Sequence, residues 1–520
     1  MSEFSYDVTQ YLSHPYSQSH PELLALLGEL FGLKPKPWRK ARILELGCAA
    51  GGNIIPLAME APDAEIVGID LSQKQIEDGQ AQIKELGLTN IKLEHRSITD
   101  INKEDGLFDY VITHGVWSWV PEEVRQHIFG IFRNNMSDQG VGYVSYNTLP
   151  GWNMVLSVRD MMKFHALGFS THTEKAQQAR LLLKFIVDGL QNDTSPYANF
   201  LRNEIQLISR QTDNYILHEY LEDENHPVYF HQFMEQAQKF HLSYLSDTYL
   251  PDMFAYNLPE QFAKEIGKID NIIRANQYMD FIKNRRFRCT LLCHSHNQIN
   301  RQLSFDKIKD YFFTYSGIKT QGIDETSLEE GVPLNFTNGL VTLTVKSKIS
   351  KTAMWLMQNQ KGKPIAFKAL CQMTMRQLKS KNYTEVQNHL INDLNLLRLV
   401  LGGLVILHLS EGNYTSKLTD KPKVSKLVSY QIQKRHYVTN QRHQLVALSL
   451  IEQFLVKELN GQQTISDISK KITTLVLSGE IKLQREDGSQ ITEKEDIERR
   501  MPGLCEELLE KFAENALLVE

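Results

Sequence analysis

The chain has 520 residues, of which 42% are hydrophobic and 23% charged, with a formal net charge of −5. This is ordinary globular composition, enough for about three or four domains, and the negative balance gives no general attraction to nucleic acid. Five cysteines (Cys48, Cys289, Cys293, Cys371 and Cys505) form an odd, sparse set that points to a reducing compartment without a disulfide framework. No basic start precedes an apolar run, and the longest apolar stretch, Leu399 to Leu407, is too short to span a membrane, so the expectation is a soluble cytoplasmic protein.

Met1 to Lys40 reads as an amphipathic lead-in, with His20-Pro21-Glu22 opening a helix whose apolar side carries Leu23, Leu24, Leu26, Leu27 and Leu30. Residues 43–53, Ile-Leu-Glu-Leu-Gly-Cys-Ala-Ala-Gly-Gly-Asn, follow as a short buried strand and a tight glycine turn. Asn53 is placed to cap a helix starting at Ile54. A glycine turn between strand and helix lets a ligand approach bare backbone. Glu65 to Asp70 is a second strand, ending in an acid that can accept hydrogen bonds from both hydroxyls of a ribose.

Two ribose ligands compete at this point. A dinucleotide fingerprint, G-x-G-x-x-G, would place its glycines at Gly47, Ala49 and Gly52, and the missing one is the glycine that admits the pyrophosphate. Glu45 lies two residues before the turn, where a buried anion repels a pyrophosphate but suits the cationic amino group of S-adenosylmethionine. The pattern resembles motif I of class I methyltransferases, E/D-x-G-x-G-x-G, read as Glu45, Gly47, Ala49 and Gly51, with Ala49 in place of the middle glycine. The plain alternative is an ordinary strand–turn–helix; acid, glycines and second acid occurring in order argue against it.

Ser72 and Gln75 form a capping-box pattern before a helix through Leu88. Ile91 to Ile98 is a third strand, Phe108 to Val116 a fourth, Pro121 to Met136 a helix and Val141 to Tyr146 a fifth strand. This alternation predicts a parallel, doubly wound sheet whose ligand sits beyond the carboxyl ends of the strands. A leucine-rich helical pattern then runs from Met154 to Leu221. A helix over 229–240, a strand over 242–245 and a strand over 287–292 come after it. Asn338-Gly339 is a turn, and Leu340 to Val345 the strand after it. Lys417 to Lys426 is a linker, and Leu445 to Leu459 an amphipathic helix.

Several motifs in series carry a family resemblance. They are residues 13–21 (Ser-His-Pro-Tyr-Ser-Gln-Ser-His-Pro), 114–121 (His-Gly-Val-Trp-Ser-Trp-Val-Pro), 147–152 (Asn-Thr-Leu-Pro-Gly-Trp), 218–221 (His-Glu-Tyr-Leu), 227–231 and 438–443. They resemble bacterial methyltransferases with an attached regulatory domain, a family that includes the rickettsial protein lysine methyltransferases. The resemblance implies an α/β, doubly wound, seven-stranded Rossmann-like class I methyltransferase domain, with a helical insertion and mixed middle and C-terminal domains. The expected layout is 1–154 for the first part of that domain, 155–225 for the insertion and 226–298 for the end of the domain. A middle domain over 299–416 and a C-terminal domain over 417–520 complete it.

The resemblance implies S-adenosylmethionine as cofactor, held by Glu45, Gly47, Gly51, Asn53, Asp70 and Leu71. Ser97 and Ile98 fall where methyltransferases contact the adenine, usually through an acid, and Ser97 departs from that. His114, at the end of the fourth strand, is placed to hydrogen-bond cofactor or substrate; His20 and Gln18 rest on the family pattern alone. Tyr16, Trp117, Trp119, Tyr146 and Trp152 are aromatics that can reach the crevice. Tyr16, Trp117 and Trp119 are the candidates for a channel around a lysine side chain, the two tryptophans sharing one side of an extended segment. The bland reading of each is core packing, and it is strongest for Tyr146. The expected activity is methylation of protein lysines, with no metal. The family forms dimers, and the leucine-rich insertion is the expected contact. The competing readings are a small-molecule methyltransferase and a non-catalytic binding scaffold; a scaffold need not bind the cofactor.

Overall fold

The computed structural model describes residues 13–324, 326–484 and 489–520. The lead-in before Ser13 therefore lies outside the described residues. The chain forms two compact units: one holds Ser13 and residues 33–299, the other residues 14–32 and 300–520.

In the first unit, β1 (Arg42–Leu46) is buried on both faces from Ile43 onward, as a strand covered by helices on both sides must be. It pairs in parallel with β2 (Glu65–Asp70) and β4 (Phe108–Thr113). With β3 (Ile91–His95), β5 (Met136–Asn147), β6 (Leu242–Asp247) and β7 (Phe287–His294) the sheet has seven strands in the order β3-β2-β1-β4-β5-β7-β6. β7 is antiparallel to both β5 and β6. The order reverses between β1 and β4, and such a switch point opens a crevice at the strands' carboxyl ends. The third strand stops at His95, because Ser97 and Asp100 cap a 3-10 turn at Ile98–Asp100. The fourth stops at Thr113, before Gly115 in the left-handed region.

The antiparallel edge is fixed by buried charge. Arg288 is fully buried and donates to Asp247 (2.6 Å) and Asp280 (2.8 Å), with its guanidinium 3.8 Å from the centre of the Phe230 ring. Removing one partner of such a set would strand a buried charge. The helical block comprises Gly151–Ala166, His172–Gly189 and Pro196–Ser209, then a short helix running into a π-helical turn at Leu217–Leu221. Its core is built by Val158, Met162, Leu183, Leu201 and Ile205. The first helix begins at Gly151, four residues before the expected boundary of the insertion.

The second unit corrects three expectations. The helix Pro21–Leu30 belongs to it rather than to the methyltransferase sheet, and packs on the strand Val405–His408. Residues 417–426 are not a free linker: Lys423–Val424 pairs with Leu518–Val519, and Ser425 caps the helix Lys426–Gln431. Residues 445–459 are not one helix: Leu445–Ala447 pairs with Tyr437–Thr439, and the helix Leu450–Glu458 starts after a Ser449–Glu452 capping box. The turn at Asn338-Gly339 joins Leu334–Thr337 to Thr342–Val345 as an antiparallel hairpin. The apolar stretch at 399–407 is divided between the helix Leu396–Leu401 and the strand Val405–His408. Among the described residues no helix is long and apolar enough to cross a membrane.

Candidate active site

The crevice is built from the loops after β1, β2, β3, β4 and β5. Gly47 and Gly51 adopt φ values of 75° and 74°, and a Cβ at Gly47 would come 2.5 Å from Val116 Cγ2. Ala49, in the middle position of the motif, adopts φ 49° without the freedom of glycine. The turn is held from below by Gly47 N–H and Cys48 N–H, which donate to the Ile69 carbonyl at 2.9 and 3.0 Å. From the N-terminal side, Ser13 Oγ accepts from Gly52 N–H at 2.7 Å. Cys48 is buried and packs as a small residue; burial pushes its thiol well up.

Glu45 is 3% exposed, and one of its oxygens accepts from Asn53 Nδ2 at 2.7 Å. Its other oxygen, Oε2, is buried without a hydrogen-bond partner. Burial pushes the carboxyl up to about 8, with Asn53 opposing and Asp70 adding to the rise. A buried carboxylate oxygen lacking a donor, beside a turn that a Cβ would fill, fits a ligand bearing an ammonium group. Asn53 does not cap the helix Ile54–Glu60 with its side chain as expected; its amide orients Glu45 instead.

Asp70 accepts from Ala49 N–H and Ser72 N–H, both at 2.8 Å. It thus ties the glycine turn to the start of the helix Gln73–Leu86, at the carboxyl end of β2. Leu71, half exposed, follows it. Ile98 is 9% exposed, and Ser97 donates its backbone N–H to the Asp100 carboxylate at 3.1 Å. An acid thus lies beside Ser97, supplied from three residues further on, a placement that the sequence reading missed.

His114 Nδ1 lies 2.8 Å from the Tyr143 hydroxyl, which donates to Cys289 Sγ at 3.2 Å. The tryptophans do not share a side. Residues 117–119 form a 3-10 turn, and two positions on a helical turn point apart. Trp117 is 1% exposed, its ring packed on Tyr146, Phe129 and Phe233, so it is a core residue and not a channel wall. Tyr146 is likewise core, stacked on Phe233 at 4.0 Å. Trp119 is partly exposed and meets Trp152 edge-on at 6.2 Å and the Arg159 guanidinium at 5.9 Å. Trp152 is 4% exposed, in the core of the helical block. Arg159 donates to the carbonyls of Glu219, Glu222 and Asp223, bracing the π-helical turn; no motif singled it out. Glu219, in that turn, is pushed up to about 7 by burial, with Arg159 opposing.

Tyr16, Gln18 and His20 fall in the second unit. There His20 Nδ1 accepts from Glu22 N–H at 3.1 Å, capping its helix, and its ring meets His443 edge-on at 5.0 Å.

Three family models match the chain. A methyltransferase domain covers residues 39–182, a predicted methyltransferase regulatory domain 212–294, and a PKMT C-terminal winged helix domain 420–517. The uncharacterized protein RP789 of Rickettsia prowazekii is 39% identical, over 99% of this chain and 93% of its own length. The structure of PKMT2 from Rickettsia typhi superposes with a TM-score of 0.88 at 35% identity, covering 98% of this chain and 100% of that one. PKMT2 in complex with AdoHcy superposes with the same TM-score and coverage.

Proposed function

We propose that this chain, which belongs to the rickettsial PKMT family of S-adenosylmethionine-dependent methyltransferases, methylates lysine side chains of a protein. The observation that supports the lysine reading most is the likeness to PKMT2 over the whole chain. S-adenosylmethionine supplies an electrophilic methyl group on a sulfonium. Glu45 would take the ammonium of the cofactor and Asp70 its ribose, across the turn that Gly47 and Gly51 form at positive φ. Leu71 and Ile98 would be cofactor contacts, Ile98 on the adenine side, and His114, directly after β4, would hydrogen-bond cofactor or substrate. A lysine must lose a proton, against an ordinary pKa of about 10.4. Desolvation beside a positive sulfonium favours the neutral amine. The chain's part is then to align nucleophile and methyl group, for which little acid–base chemistry is required.

Of the two tryptophans, Trp119 is the one carried forward as a channel residue, since Trp117 is core. The test is mass spectrometry of methylated protein after incubation with labelled cofactor and a cell lysate, with the methyl groups mapped to residues. Methyl groups on lysine ε-nitrogens are expected. Methyl groups found only on carboxylates, glutamine or small metabolites would overturn the reading. Trp119→Ala should lower turnover far more than cofactor affinity, and Trp119→Phe should restore much of it. Equal loss of both in the alanine variant would make the ring part of the cofactor pocket.

A further inference from the structure

A second cavity, of about 450 Å³, opens between the helices Phe230–Lys239 and Ile272–Lys283. It lies within the segment matched by the predicted regulatory domain. The residues that line it carry both signs of charge: Glu235 on one helix, Arg274 on the other. Arg274 forms no ion pair among the described residues, and its guanidinium lies 5.9 Å from the Tyr278 ring. Tyr278 and Phe281 are 40% and 46% exposed, a large apolar surface to leave in water.

Gln277, another lining residue, is 6% exposed. Its Oε1 accepts from His231 N–H at 3.2 Å and lies 3.1 Å from His231 Nδ1. That fixes which end of the amide is which, and leaves Nε2 buried as a donor with no acceptor. Arg274 and Gln277 sit in the first two turns of a helix of 12 residues, whose N-terminus favours an anion. The cavity thus presents donors for an anion, one carboxylate for a cation, and an aromatic wall.

We propose that this cavity is a ligand site distinct from the cofactor crevice, and that it binds a free α-amino acid with an apolar side chain. The carboxylate of the ligand meets Arg274 and Gln277 Nε2, its ammonium meets Glu235, and its side chain covers Tyr278 and Phe281. A ligand there bridges two helices of the first unit, of which Phe230–Lys239 packs on the edge strand β6. The site does not depend on which substrate is methylated.

The experiment titrates the full-length protein, saturated with S-adenosylhomocysteine so that the cofactor crevice is filled, with L-phenylalanine, L-leucine and L-methionine. Phenethylamine and hydrocinnamate, each lacking one charged end, are the controls. At least one amino acid should bind, and the one-ended analogues should bind more weakly. Arg274→Ala, an exposed position, should weaken binding about ten-fold or more. Gln277→Glu keeps the acceptor for His231 but removes the Nε2 donor and adds a negative charge, and should weaken it at least as much. Should Gln277→Glu lower the melting temperature, Arg274→Ala decides. Failure of all three amino acids to bind overturns the proposal. So does equal binding of a one-ended analogue, or an affinity unchanged in Arg274→Ala.

Discussion

Glu45 carries a burial cost that holds its carboxyl protonated above the ordinary range. Between the ordinary carboxyl value of 4.5 and about 8, the folded chain holds a proton that the unfolded chain has lost. Without cofactor, this residue therefore makes stability fall as pH rises through that window, and adds no further change above it. Under the proposed assignment, the ammonium of the cofactor would reverse the preference and expel the proton. Calorimetry below pH 8, in two buffers of different ionisation enthalpy, should show proton release on binding for the wild type and none for Glu45→Gln; equal release from both would contradict the assignment. At Ala49 the backbone takes φ 49°. A left-handed L-residue costs about 1–2 kcal/mol, and a new glycine loses about 0.4–1 kcal/mol through the unfolded state, so Ala49→Gly should stabilise by roughly 0.5–1 kcal/mol. Urea unfolding measures this, and a loss of stability would mean the turn is already relaxed around alanine.

At the scale of elements, the segment between β4 and the helix Glu122–Asn135 shows how one turn separates two similar residues. The 3-10 geometry sends Trp117 inward and leaves Trp119 at the surface of the helical block. Truncating a buried aromatic removes its transfer energy and leaves a cavity, so Trp117→Ala should cost about 3–5 kcal/mol of stability. Denaturant unfolding of this variant against Trp119→Ala checks the division. Comparable losses in the two would place Trp119 in the core as well.

At the scale of the whole molecule, the helices Gly151–Ala166 and His172–Gly189 pack on each other and leave Phe164 and Leu167 79% exposed, Leu181 57% and Phe185 75%. Exposed apolar area of this kind marks an association surface. We propose that it joins two copies of the chain. Light scattering at micromolar concentration should give the mass of a dimer, and Phe185→Glu should shift it toward monomer. A monomeric wild type rejects the contact.

The sequence by itself determined the parts of the fold that rest on local patterns. Buried apolar strands, the acid and glycines of residues 45–51 and the acid at Asp70 are short-range signals, and they sufficed for the sheet, the glycine turn and the cofactor. Of the capping box read at Ser72 and Gln75, the local half forms: the Ser72 side chain accepts from Gln75 N–H, while Ser72 N–H goes to Asp70 instead of Gln75. Tertiary structure alone decided the rest. Asn53 turned from cap to partner of Glu45 because a buried carboxylate eight residues away needs a donor, while Ile54 N–H and Ile55 N–H already donate to the Gly51 carbonyl. The leucine-rich helix at 21–30 joined the second unit because an apolar stripe specifies burial but not the surface that buries it. Trp117 and Trp119 carry the same side chain two residues apart; packing against Phe129, Tyr146 and Phe233, set by strands and helices distant in sequence, made one of them core.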